Sequence, residues 1–178
     1  ERPLARELPV VGESEDYGDD VETRRQRAAP RSLVIPRKQW KARDPDKECG
    51  YPHNPYRMSI HHTYRPADDG GNPARRMRQM QAYHIDNRGW CDIGYHFVVS
   101  QSGKIYQGRS TEKRTGAHVG GENDGNIGIS LIGDYQNNPV ITSQLRVASK
   151  IVRWVHRTYQ IPLDRQRVKG HREWPGQS

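Results

Sequence analysis

The stretch Ile127 to Ile132, IGISLI, is a nearly continuous apolar run inside an otherwise polar chain. A half-exposed strand alternates apolar with polar residues, so an unbroken run marks a strand buried on both faces. Such a strand belongs in the middle of a sheet. The flanking patterns supply the rest of that sheet and the layers that cover it.

Arg57 to Thr63 (RMSIHHT) alternates and reads as a second strand, with Met58 and Ile60 on one face and Ser59 and His61 on the other. Tyr95 to Ser100 and Lys104 to Gln107 flank Ser102-Gly103, which predicts a hairpin. Arg167 to Gly170 predicts a last short strand. Asn72 and Pro73 suit the N-cap and first position of a helix that runs to about Asp86, with Met77 and Met80 as core contacts. Thr142 is placed to cap a second helix. Its expected apolar face is Leu145, Ala148, Val152, Val155 and Tyr159, and Pro162 limits its end. Strands and helices interleave, so the expected fold class is α/β, a single domain with a central mixed β-sheet flanked by helices.

Composition sets the outer limits. Residues 1–30 carry an acidic run (Glu13, Glu15, Asp16, Asp19, Asp20, Glu22), a basic cluster (Arg24, Arg25, Arg27) and few apolar residues. They are expected to be a disordered or extended segment, because burial cannot offset the cost of ordering them. Residues 31–178 are the expected domain. Only 32% of the chain is hydrophobic, and no apolar run approaches the ~18 residues of a membrane span. The chain opens on Glu1, as a mature form with its export signal removed would. A net charge of +8 suits an anionic partner such as nucleic acid, acidic lipid or cell wall, and equally the plainer alternative of a solvated basic surface. The Lys and Arg residues are dispersed and not grouped with stacking aromatics, so no nucleic-acid partner is expected. Cys49 and Cys91 can form one disulfide or stay as buried thiols, and thiols are the favoured reading.

The 8 histidines invite a metal hypothesis. A lone histidine is usually a surface or hydrogen-bonded core residue, and His53 and His156 read that way. His61 and His62 end a strand and point to opposite faces. His61 shares the polar face of Ser59 and Thr63, which makes it the better ligand candidate. His171, in KGHREWPG, follows the last short strand. If the two strands are neighbours, His61 and His171 converge. A catalytic zinc uses three protein ligands and a water, so the pair is one ligand short. Tyr95 shares a predicted face with Phe97 and Val99, opposite His96 and Val98. It reads either as an amphipathic core tyrosine or as a phenol that hydrogen-bonds an oxyanion.

Taken in order, GWCDIGYHF, SGKIYQGR, GAHVGG and NIGISLIGDY resemble the peptidoglycan recognition proteins and the related N-acetylmuramoyl-L-alanine amidases. IHHT and GHREWP stand where that family has its metal histidines, and RKQWKAR resembles its opening segment. The resemblance covers about residues 37–178. It implies zinc at His61 and His171, Tyr95 as the catalytic tyrosine, and a cleft lined by Thr63, His84, Arg88 and His118. The cysteine or carboxylate that completes the family's zinc site is expected just beyond Ser178. Glu173 lies too close to His171 to take that place, and Cys91 matches a family cysteine that is not a ligand. Arg88, Gly89 and Trp90 resemble the pattern that goes with meso-diaminopimelate peptidoglycan. The implied function is zinc-dependent hydrolysis of the bond between N-acetylmuramic acid and L-alanine, in the periplasm or outside the cell. The alternative is a non-catalytic peptidoglycan-binding recognition module.

Overall fold

The computed structural model describes residues 33–45 and 49–177. The segment expected to be extended, 1–30, lies outside the described residues. One sheet of six strands organises the rest, in the order β1-β4-β3-β5-β2-β6. The strands are β1 (Val34–Ile35), β2 (Arg57–His62), β3 (Phe97–Val99), β4 (Ile105–Gln107), β5 (Asn126–Leu131) and β6 (Val168–Gly170). β3 and β4 form the predicted antiparallel hairpin, and every other pairing is parallel. The mixed sheet carries helix α1 (Pro73–Ala82) on one face and α2 (Thr142–Tyr159) on the other.

The apolar run of the sequence became β5, and all six of its residues are buried. Its side chains still alternate. Ile127, Ile129 and Leu131 join Met58, Phe97, Val99, Ile151 and Trp154 in a core beneath α2. Ile132, just past the strand, packs with Met77, Met80, Val98 and Trp40 beneath α1. Asn126, Gly128 and Ser130 point to the α1 side, where the polar residues of the site gather. α1 starts as read, since the Asn72 side chain accepts a hydrogen bond from the Arg75 N–H at 3.0 Å.

Four expectations need correction. Cys49 and Cys91 are not thiols but form a disulfide spanning 42 residues. Closing a loop of that length stabilises the fold by about 4 kcal/mol through the entropy of the unfolded chain. Thr142 is the first helical residue of α2, and Ile141 holds the cap position without a side-chain cap. α2 is also rotated from its expected face. It buries Gln144, Ala148, Ile151, Trp154 and Val155, while Leu145 is 52% exposed. Gln144 takes the inner position because its amide donates to the Val99 and Ile132 carbonyls, at 3.0 Å each, where the strands end. Finally, Tyr95 does not share a face with Phe97 and Val99. It packs on the α1 side with Val98. The ladder is irregular just before Phe97, where the Gly108 and Arg109 N–H groups bond the consecutive carbonyls of His96 and Tyr95. Strict alternation therefore fails at that point.

The rotation of α2 gives a direct test. Ile151→Ala should cost about 2–5 kcal/mol, as a buried aliphatic truncation does. Leu145→Ala should stay within about 0.5 kcal/mol, as a surface change does. Chemical denaturation of both variants checks this, and equal losses would return Leu145 to the core.

Candidate active site

Parallel strands bring their C-terminal ends to one edge of a sheet, and open α/β sheets bind ligands there. β6 pairs with β2 through Ile60 and Gly170. His61, near the end of β2, and His171, just after β6, are thereby neighbours, with ring centroids 4.9 Å apart. Tyr95 lies 5.3 Å from the His61 ring. All three line a cavity of about 460 Å³.

A row of rings continues from Tyr95 along the α1 side. His84 is 5.8 Å from Tyr95 and 4.7 Å from Trp90, and the Arg88 guanidinium lies 5.4 Å over Trp90. This wall exists because α1 widens into a π-type turn at Tyr83–Asn87, which turns His84 inward. Gly89, in the left-handed region at φ +66°, then lets the chain double back toward Trp90. Arg88 and Gly89 are exposed, and a Cβ on Gly89 would meet nothing within 4 Å. Thr63 is half-buried, and its hydroxyl accepts from the Gly133 N–H at 3.2 Å.

His118 comes from the Gly-rich loop and lies beneath His61. His61 Nε2 and His118 Nδ1 are 3.1 Å apart, and His118 Nε2 is 3.1 Å from the Asn126 carbonyl. The ring fits because glycines clear its space. A Cβ on Gly116 or Gly128 would come within 2.3 or 2.4 Å of it.

Burial keeps these imidazoles neutral. It is the main reason that His61 is lowered to about 3, with the nearby charges of His171 and His62 adding to it. Burial likewise lowers His84 to about 4, ahead of the Arg109 and Arg88 charges. His118 lies well below the usual histidine range for the same reason, and His171 is lowered too. For Tyr95 burial acts in the opposite direction and raises the phenol, so it keeps its proton at neutral pH. Ser130 lies near that phenol without a hydrogen bond of good geometry.

His61 and His171 bring two imidazoles to one point, one short of the three protein ligands of a catalytic zinc. His171 Nδ1 is buried with no hydrogen-bond partner among the described residues, and His61 and His171 are both held neutral. Neutral imidazole is a zinc ligand. Glu173 is engaged elsewhere, since its carboxylate accepts the Gly170 N–H at 2.5 Å. Among the described residues, no group of three or more His, Cys, Asp or Glu side chains is arranged to hold a metal.

The structure therefore brings His61, His171, Tyr95, His84 and His118 together, with Trp90 and Arg88 extending the wall and Thr63 beside it. Sequence reasoning missed the opposite wall, which is formed by Tyr135, Gln136, Val140, Leu145 and Arg172. No sequence signal marked it, because the helix pattern assigns Leu145 to the core, whereas the structure leaves it 52% exposed.

Comparison with known proteins agrees with this architecture. The family profile described as N-acetylmuramoyl-L-alanine amidase (Amidase_2) matches residues 52–178. The chain belongs to that family. An N-acetylmuramoyl-L-alanine amidase of Sus scrofa is 47% identical over 81 residues, which is 44% of this chain and 13% of that protein. Peptidoglycan-recognition protein LB of Drosophila melanogaster is 34% identical over 161 residues, 89% of this chain and 65% of that protein. Among solved structures, peptidoglycan recognition protein LE in complex with tracheal cytotoxin, a monomeric diaminopimelic acid-type peptidoglycan, superposes with a TM-score of 0.71. It is 32% identical and covers 79% of this chain and 82% of that one.

The packing of His118 yields a prediction. Gly128→Ala places a methyl group against the imidazole and should destabilise the fold by about 1–3 kcal/mol, the usual cost of overpacking. A denaturation midpoint equal to wild type would show that the ring has room to spare.

Proposed function

We propose that this chain is a zinc-dependent N-acetylmuramoyl-L-alanine amidase acting on peptidoglycan. The observation that carries the reading is the convergence of His61, His171 and Tyr95 at the strand ends, on a fold whose family includes such amidases. His61 and His171 would hold the zinc ion. When bound, that ion supplies a Lewis acid for the scissile carbonyl and lowers the pKa of a water toward ~7. Tyr95 donates a hydrogen bond to the oxygen that gains negative charge at the scissile carbonyl. Burial suits it to this task, because a phenol with a raised pKa remains a donor.

The wall of Trp90, His84 and Arg88 binds the stem peptide. His84 Nδ1 accepts the Gly94 N–H at 3.1 Å, so its proton sits on Nε2 and is available as a donor. Thr63 and His118 complete the cleft. Arg88 is exposed and rests on Trp90, so its guanidinium is free to pair in bidentate fashion with a substrate carboxylate. meso-Diaminopimelate offers such a carboxylate at the third stem position and lysine does not. The open space over Gly89 leaves room for it. The diaminopimelic acid-type ligand in the neighbouring recognition-protein complex supports this preference. The Cys49–Cys91 disulfide supports an oxidising compartment, periplasmic or extracellular. No helix among the described residues is long and apolar enough to cross a membrane.

Two experiments test the reading. Tyr95→Phe should lower amide cleavage roughly 10²-fold or more, on the scale of losing one oxyanion donor. Stem-peptide binding and melting temperature should stay close to wild type. Undiminished cleavage would return Tyr95 to a packing role. A wild-type protein that binds muropeptides and releases no peptide would identify a recognition module instead. Arg88→Ala should weaken diaminopimelate muropeptides roughly ten- to a hundredfold, the worth of a charge-assisted pair, and lysine muropeptides much less. Equal weakening of both would show that Arg88 does not read that carboxylate.

A further inference from the structure

The hydrogen bonds beneath His61 run in one direction. The Asn126 carbonyl can only accept, so the His118 nitrogen facing it, Nε2 at 3.1 Å, carries the proton. A neutral imidazole protonated on Nε2 has its lone pair on Nδ1. That lone pair faces His61 Nε2 at 3.1 Å, so His61 is the donor and its own proton sits on Nε2. The His61 lone pair is thereby left on Nδ1.

The arrangement is rigid. Gly116 and Gly128 approach the His118 ring from their two positions, and the Asn123 side chain accepts the backbone N–H groups of His118 and Val119 at 2.8 and 3.0 Å. Only 8% of His118 is exposed. Both ring nitrogens are engaged inside the protein, so in the cavity it lines His118 offers a ligand the face of its ring, while its hydrogen bonding is directed at His61.

We propose that His118 is a positioning residue. Through the line from the Asn126 carbonyl to His118 to His61, it fixes His61 in the Nε2–H tautomer and presents Nδ1 as the metal-binding nitrogen. Metal-bound histidines commonly donate their second N–H to a carboxylate or carbonyl. Here a second imidazole relays that role to the main chain. The assignment rests on the zinc reading of His61, but the tautomer itself does not.

The test uses full-length protein with 15N-labelled histidine. In the zinc-free wild type, long-range proton–nitrogen spectra should show His61 protonated on Nε2. His118→Leu should give a mixture of tautomers and a zinc affinity lowered by roughly ten- to a hundredfold in chelator competition, as losses of second-sphere partners do. His118→Asn should recover most of that affinity, because its carboxamide oxygen can take the acceptor place of Nδ1. A wild-type His61 protonated on Nδ1 overturns the proposal without any variant. So does a folded His118→Leu that keeps its zinc affinity and loses only stem-peptide binding. A wild type that binds no zinc defeats the amidase reading instead, and the zinc-free spectrum still decides the tautomer.

Discussion

The parallel pairing of β2 with β5 sets both the core and the site. Six residue pairs, from Arg57 with Asn126 to His62 with Leu131, fix one register. Side chains alternate with a period of two, so this register sends Met58, Ile127, Ile129 and Leu131 under α2. It sends Ser59, His61, Gly128 and Ser130 to the α1 side. A slip of one residue would exchange the two sets. Apolar packing under α2 therefore holds the polar residues of the site in place.

Polar groups placed on a covered face must find partners, because an unpaired buried donor or acceptor costs about 1–3 kcal/mol. Histidines meet that demand here. His96 donates to the Arg114 carbonyl and accepts the Gly128 N–H, both at 3.0 Å. His53 bonds the Thr111 carbonyl and the Gly125 N–H in the same way. His118 extends the pattern to His61. Most of these rings are thus structural fastenings. His171 keeps one buried nitrogen, Nδ1, without a partner among the described residues.

Much of this was legible in the sequence because it depends on local period. The strand phase of β2 turned His61 and His62 apart, and their hydrogen bonds do diverge, His61 to His118 and His62 to the Tyr135 N–H, yet both side chains line the same cavity. The Asn72 cap and the hairpin followed from turn and cap chemistry. What was not legible depended on long-range partners. Gln144 lies in the core because two strand carbonyls end there, which no helix pattern records. The phase of Tyr95 is set by an irregular ladder with Gly108 and Arg109. The Cys49–Cys91 bond and the support of His61 by His118 both join segments far apart in the chain.

The central claim is that His61 and His171 hold zinc. Metal analysis of the full-length protein, after dialysis against limiting zinc, tests it most directly. The account predicts about one zinc per chain in the wild type. The double variant His61→Ala, His171→Ala should retain none while its melting transition shows that it is still folded. A folded double variant with undiminished zinc would contradict the account.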